Sequence, residues 1–156
     1  MEMQVTQADE SHLEALAPLF NGYRKFYAQS HDEDGARAYL KARMRNADAV
    51  ILLAMIPIDP KLYAGFVLLY PTFDSVEMTA VWVLHDLYVD PGYRQRGAGR
   101  LLMNAARDFC RAKGAARIDL ATAIANKNAQ TLYESLGYER DTEFFQYSLE
   151  IAAQGT

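Results

Sequence analysis

A short segment rich in arginine and glycine has the composition of a phosphate-binding turn. It lies between a β-rich run and a helical pattern and consists of Tyr93-Arg94-Gln95-Arg96-Gly97-Ala98-Gly99-Arg100. The first turn of a helix leaves backbone N–H groups unpaired, and these groups together with the helix dipole bind anions. Glycines let a backbone approach a phosphate closely, and arginines add charge-assisted hydrogen bonds. The expected ligand of this segment is a pyrophosphate.

The loop differs from the two common nucleotide-binding motifs. It lacks the Gly-Lys-Ser/Thr ending of an ATPase P-loop, and Leu102 stands where a dinucleotide fingerprint has its third glycine. From the glycine spacing alone, a surface turn with solvated arginines is an equal alternative. The elements on either side of the loop are therefore needed to interpret it.

The hydrophobic pattern predicts an α/β fold, with one central mixed sheet flanked by helices. Asp9 or Ser11 can cap the first helix, which runs to Tyr27. Further helices are predicted at 36–46, 97–113 and 129–136, and strands at 3–6, 49–56, 63–70, 79–89, 117–123 and 144–151. The 79–89 and 117–123 strands should be parallel, joined by the helix that follows the loop. We expect residues 1–156 to form a single domain.

The composition excludes several classes of protein. The 156 residues are 51% hydrophobic and 23% charged, with a net charge of −4, which argues against binding nucleic acid through the overall field. We expect no membrane span, which takes about 20 apolar residues, and a cytoplasmic location because the start lacks a secretory pattern. Cys110 is the only cysteine, so it cannot form an intramolecular disulfide. We expect no metal, because the three histidines show no zinc-ligand spacing.

A second motif lies near the end of the chain. Asn126, Ala129 and Tyr133 have the spacing Asn-x-x-Ala-x-x-x-Tyr, and the turn Leu136-Gly137-Tyr138 follows. Together with Arg94-x-x-Gly97-x-Gly99, this motif resembles the GNAT superfamily of acetyltransferases, and the resemblance spans essentially the whole chain. The segment from Leu84 to Val89 is similar to the branch that includes diamine acetyltransferases.

This resemblance implies a GNAT-type fold that binds acetyl-CoA. The opening between the 79–89 and 117–123 strands would hold pantetheine, hydrogen-bonded to the backbone of Leu87, Tyr88 and Val89. The loop from Arg94 to Arg100 would hold the pyrophosphate. Asn126 would bind the pantetheine arm with help from Asn128, and Tyr133 would be the general acid for the departing thiolate.

The general base is expected at His85 or Asp86. An alkyl ammonium has a pKa near 10, so a base must take its proton at neutral pH, and an ordinary imidazole suits that task. Diamine-type relatives tend to carry Glu at the position of His85, so this sequence departs from their pattern. A regular strand would point His85 and Asp86 to opposite faces unless a bulge intervenes. A purely structural histidine at the sheet edge is an equal alternative.

The expected activity is N-acetylation of a primary amine by direct attack in a ternary complex. A small amine, a polyamine-like molecule or a protein lysine would be the acceptor, and Tyr27, Tyr70, Trp82 and His85 would contact it unless the aromatic rings are simply core. The alternatives are a non-catalytic acyl-CoA-binding sensor and a partner-binding domain without CoA. The family resemblance also implies a homodimer, in which the 144–151 strand could pair across subunits.

Overall fold

A five-stranded sheet forms the centre of the first of two units into which the chain divides. The computed structural model describes residues 2–152, and the division falls after Ala121. The strands lie in the order β1 (Gln4–Gln7), β2 (Val50–Ile56), β3 (Asp59–Asp74), β4 (Thr79–Val89) and β5 (Arg117–Leu120). Neighbouring strands are antiparallel except β4 and β5, which are parallel. The predicted mixed sheet and its parallel crossover are confirmed.

Three helices accompany the sheet in this unit, and one lies in the second unit. They are α1 (Leu13–Phe26), α2 (Glu33–Asn46), α3 (Ala98–Ala112) and α4 (Lys127–Ser135). Neither of the two residues expected to cap the first helix caps α1 itself, whose N-cap, His12, makes no side-chain cap hydrogen bond. Asp9 caps the short turn before it. Its carboxylate accepts from the Ser11 backbone at the start of a 3₁₀ turn, Glu10–His12, that leads into α1. In return, His12 Nδ1 accepts from the Asp9 backbone at 2.9 Å.

The core forms on both faces of the sheet because buried strands alternate their side chains. On one face, α1 and α2 pack against the strands through Leu16, Leu40 and Phe66, which are fully buried. On the other face α3 contributes a buried stripe that includes Leu102 and Cys110. The sheet is thus covered by helices on both sides within this unit.

Strands β3 and β4 approach each other closely at Gly65. This residue pairs with Val89, and a Cβ atom added to it would lie 2.3 Å from the backbone oxygen of Tyr88. Because real Cβ atoms essentially never come that close to another atom, only glycine fits here without moving the strands. The spacing of β3 and β4 at the end of β4 therefore depends on this position.

The predicted strand at 144–151 is wrong. The structure assigns no strand there, and Phe144, Tyr147 and Ile151 are more than three-quarters exposed. The alternation of apolar residues fits a strand, but a strand also needs a partner for its backbone hydrogen bonds, and the sheet of the described residues contains only β1 to β5. The homodimer stays a prediction.

Among residues 2–152, no helix combines the length and apolar character needed to cross a membrane.

Candidate active site

The edge of β4 is open beyond its pairing with β5. The two strands pair only from Val81 to Leu84, opposite Arg117 to Leu120. In the part of the chain that the structure describes, the 85–89 segment is paired with β3 on one side and with no strand on the other. Such an edge presents alternate N–H and C=O groups that an extended ligand can use like an added strand. The segment expected to bind pantetheine, Leu87 to Val89, lies at this edge.

A β-bulge interrupts β4 at His85. Asp86 is opposite Leu68 and Leu84 is opposite Leu69, so one step along β3 corresponds to two steps along β4. The extra residue is His85. Because a bulge breaks the alternation of side chains, neighbouring residues can point the same way. The bulge that is needed for His85 and Asp86 to point to the same face is therefore present.

His85 and Asp86 are in contact. His85 Nδ1 lies 3.1 Å from Asp86 Oδ1, and the same oxygen accepts a hydrogen bond from the Tyr23 hydroxyl at 2.5 Å. Asp86 is buried, whereas the His85 side chain is 62% exposed. Burial, followed by the hydrogen bond to Asp86, raises the pKa of Tyr23 above its ordinary value, so Tyr23 stays a donor.

Aromatic rings surround this pair. The ring of Tyr70 lies 5.5 Å from that of His85, and its hydroxyl is 2.6 Å from the hydroxyl of Tyr39. Burial, with the Tyr39 hydrogen bond second, raises the pKa of Tyr70. Tyr27 joins the group through its contact with Tyr23, with ring centroids 5.1 Å apart. Two of the predicted aromatic contacts, Tyr70 and Tyr27, are thus brought to the His85 side of the sheet.

Trp82 lies elsewhere. Its ring packs edge-on against Phe109 of α3 at 5.5 Å, so it belongs to the packing of the opposite side of the sheet. Tyr23 of α1, by contrast, reaches the site through its hydroxyl. Nothing in the sequence pairs this hydroxyl with a carboxylate 63 residues away, so sequence analysis could not find the contact.

The arginine and glycine loop joins β4 to the start of α3. Gly97 precedes the first helical residue with φ of +83°, a left-handed conformation that suits glycine, and it has no side chain with which to cap the helix. Ala98, Gly99 and Arg100 form the first turn of α3. A helix N-terminus of this kind presents backbone N–H groups to an anion. The loop therefore has the geometry expected of a phosphate site.

Two arginines of the loop are held by nearby groups. Arg94 Nε donates to the backbone oxygen of Val89 at 2.9 Å, and its guanidinium lies 5.8 Å from the ring centre of Tyr88. Arg96 lies 5.7 Å from the ring centre of Tyr93. Gln95 between them also has a positive φ, of 62°. Arg94 thus fastens the loop to the open end of β4, a contact that the motif alone does not reveal.

The second unit contains the Asn126 and Tyr133 motif. Asn126 caps α4, because its side-chain oxygen accepts from the Ala129 backbone at 3.1 Å. Asn128 lies in the first turn of the helix. Tyr133 follows Asn126 by seven residues, so both lie on one side of the helix, about 10 Å apart along its axis. The ring of Tyr133 lies 6.0 Å from that of Tyr138.

The described residues, 2–152, contain no group of three or more His, Cys, Asp or Glu side chains that could hold a metal ion. The site itself combines an imidazole, a buried carboxylate and phenol hydroxyls beside an open strand edge.

Known proteins are similar to this chain in sequence and in fold. A model of the acetyltransferase (GNAT) family matches residues 15–138. The chain is 45% identical over 152 residues to the uncharacterized N-acetyltransferase YhfO of Bacillus subtilis (strain 168), covering 97% of this chain and 100% of the relative. It is 27% identical to a probable acetyltransferase of Haemophilus influenzae, covering 96% and 99% of the two chains.

A solved structure of a probable acetyltransferase superposes with a TM-score of 0.91 at 37% identity, covering 97% of this chain and 100% of the other. The diamine branch of the family stays a prediction. The chain belongs to the acetyltransferase (GNAT) family and is an acetyl-CoA-dependent acetyltransferase.

Proposed function

We propose that the protein transfers the acetyl group of acetyl-CoA to a primary amine, with His85 as the general base. The observation that carries this proposal is the contact of His85 with buried Asp86 at the bulge, directly beside the open end of β4. An acetyl thioester bound along that edge and an amine beside His85 would meet without a covalent enzyme intermediate.

The contact with Asp86 supports Nε2 as the nitrogen of His85 that acts as the base. A carboxylate oxygen accepts hydrogen bonds, so Nδ1 of His85, 3.1 Å from Asp86 Oδ1, carries the proton. Nε2 is then the acceptor, on a side chain that is 62% exposed and accessible to an incoming ammonium group. Asp86 is buried and takes two donors, which suits a carboxylate that orients the imidazole better than one that receives the substrate proton.

The proposed reaction is a direct transfer of the acetyl group from sulfur to nitrogen, accompanied by proton transfers. His85 takes a proton from the ammonium group, and the free amine attacks the carbonyl carbon of the thioester, so that a C–N bond forms. The C–S bond breaks, and the departing thiolate takes a proton from Tyr133, the general acid implied by its motif. The attacking nitrogen loses its second proton to water as the amide forms, Tyr133 regains a proton from water, and His85 releases its proton to solvent, so one proton is set free per turnover. A backbone N–H at the β4 edge polarises the carbonyl oxygen. Holding the two reactants at near-attack distance supplies roughly 7 to 11 kcal/mol of the barrier.

The cosubstrate is held by groups of three kinds. The start of α3, with Gly97 and the arginines of the loop, would bind the pyrophosphate. The backbone of Leu87, Tyr88 and Val89 would pair with pantetheine. Asn126 would offer its side-chain amide nitrogen to the pantetheine arm, since its oxygen already caps α4, and Asn128 would assist.

The acceptor is proposed to be a small aliphatic amine. Tyr70 and Tyr27 lie on the His85 side of the sheet, and ring faces attract ammonium groups. A relative from Caenorhabditis elegans, 25% identical over 158 residues and matched over 93% of its own length, is described as a thialysine N-epsilon-acetyltransferase. Diamino acids and polyamines are therefore the first amines to test.

The test is acetyl-CoA consumption, followed by thiol release, against polyamines, amino acids, aminoglycosides and lysine peptides. Saturable release with one class supports the proposal and identifies the acceptor. His85→Gln should lower kcat/KM for that amine by about 10² to 10⁴-fold, the usual contribution of a general base. Tyr133→Phe should lower kcat while the acetyl-CoA-induced rise in Tm is retained.

His12→Gln is the matched control for His85→Gln. His12 Nδ1 accepts a backbone hydrogen bond from Asp9, and a glutamine at this capping position can accept it equally well. The control should therefore keep wild-type rates. Equal losses of kcat/KM in both variants would contradict the assignment of His85. If no amine of the panel causes thiol to be released, the proposed function is contradicted.

A further inference from the structure

We propose that Tyr23 is a positioning residue that shares the Asp86 carboxylate with His85 and so sets how strongly Asp86 holds the His85 imidazole. This inference rests on the proposed function of the same site. Its starting point is that one carboxylate oxygen, Asp86 Oδ1, contacts both the Tyr23 hydroxyl and the His85 imidazole.

The two contacts are unequal. The hydroxyl of Tyr23 lies 2.5 Å from Asp86 Oδ1, whereas Nδ1 of His85 lies 3.1 Å away. A short O–H···O⁻ bond takes up more of the charge of the carboxylate than a long N–H···O contact does. Tyr23 therefore reduces the attraction that Asp86 exerts on a protonated His85. With Asp86 alone beside it, the imidazole would hold its proton more tightly and release it more slowly after each turnover.

The position of Tyr23 is fixed by packing on several sides. Its ring contacts Phe66 at 5.6 Å and Tyr88 at 5.8 Å, both edge-on. Its neighbour Gly22 faces the Tyr88 hydroxyl so closely that an added Cβ would lie 3.2 Å away. Helix α1 thus lies tightly against β4 at this point, which brings the Tyr23 hydroxyl within reach of Asp86.

Other titratable and charged groups also face this pair. Tyr27 contacts Tyr23 from the next turn of α1. Tyr70 of β3 lies against His85. Its pKa is raised mainly by burial and also by Asp86, whereas Arg43 of α2 lowers it. Tyr39 of α2 shares a hydrogen bond with Tyr70. Tyr23 is distinguished from these groups by its own short hydrogen bond to Asp86 Oδ1.

The test compares Tyr23→Phe with Asp86→Asn. Removing the hydroxyl leaves the full carboxylate charge to His85, so protonated His85 is stabilised and the acid limb of kcat/KM moves to higher pH by roughly one unit. Removing the carboxylate acts in the opposite direction and moves the acid limb to lower pH.

Tyr63→Phe is the control for loss of a tyrosine hydroxyl. Tyr63 packs against the same core through a ring contact with His12 and should keep the wild-type profile and Tm. A second readout needs no activity: the three histidines of the chain can be followed by NMR through a pH titration, with His85 assigned from His85→Gln. The His85 midpoint should move up in Tyr23→Phe and down in Asp86→Asn.

Each result decides one question. Opposite shifts of the two variants support the proposal. A Tyr23→Phe midpoint that stays at the wild-type value, or that moves down as in Asp86→Asn, overturns it. A wild-type protein that acetylates no amine would refute the proposed function, and the NMR titration would still decide the part played by Tyr23.

Discussion

Gly65→Ala should separate the two central strands of the sheet at the point where the cosubstrate is expected to bind. The added Cβ would lie 2.3 Å from the Tyr88 backbone oxygen. Because real Cβ atoms essentially never lie within 3.0 Å of such a neighbour, the strands must move apart by about 0.7 Å. A backbone hydrogen bond of ordinary length, stretched by that amount, falls outside bonding range. Overpacking costs about 1–3 kcal/mol and a lost hydrogen bond about 1 kcal/mol, so we expect a loss of about 2–4 kcal/mol.

Urea unfolding followed by circular dichroism measures this loss, with unchanged m-values as the sign that both proteins unfold alike. Gly92→Ala is the control, because the Cβ added there meets only the Asp90 carboxylate, at 3.2 Å, and at most costs the exposed hydrogen bond that this carboxylate accepts from the Gly92 backbone, about 1 kcal/mol. KM for acetyl-CoA should also rise in Gly65→Ala alone, since the backbone of Tyr88 and Val89 is displaced. If Gly65→Ala unfolds at the same urea concentration as Gly92→Ala, the steric argument is refuted.

Two further predictions concern the loop and the cysteine. Gly97→Ala and Gly114→Ala should each lose about 1 kcal/mol of stability, because both glycines have a positive φ, +83° and +76°, with open space around the added Cβ. Only Gly97→Ala should also raise KM for acetyl-CoA; a similar rise in Gly114→Ala would contradict the phosphate site. Burial raises the pKa of the Cys110 thiol to about 11, so a thiol reagent at pH 8 should label native protein slowly and urea-unfolded protein quickly. Fast labelling of the native protein would show that the thiol is accessible.

The hydrophobic pattern was sufficient to predict most of the elements. The bounds of β4, Thr79 to Val89, were predicted without error because a long β-rich run ends at Asp90-Pro91-Gly92. Strand β3 was predicted too short, at 63–70, whereas it runs from Asp59 to Asp74. Pro71 was the misleading signal. Its partner in β4 is Trp82, and β2 pairs with β3 only as far as Leu69, so the missing N–H of Pro71 removes no bond to β2.

The parts of the site that could not be predicted depend on contacts between residues that are far apart in the sequence. Whether β4 bulges at His85 depends on how it pairs with Leu68 and Leu69, which no local pattern records. The hydrogen bond of Tyr23 to Asp86 likewise depends on how closely α1 packs on the sheet. The turn at Gly97 and the start of α3 could be predicted because both depend only on local sequence, whereas the phosphate-binding role of this loop stays a prediction.

The bulge also divides β4 into two blocks that are each in register with β3, one ending at Leu84 and one beginning at Asp86. Deleting the single codon for His85 would join the blocks into a regular ladder without disturbing either pairing. A descendant with that deletion would keep the sheet and the open edge but would have no imidazole. In evolution, therefore, the imidazole that we propose as the general base can be gained or lost in one step, independently of the sheet that carries it.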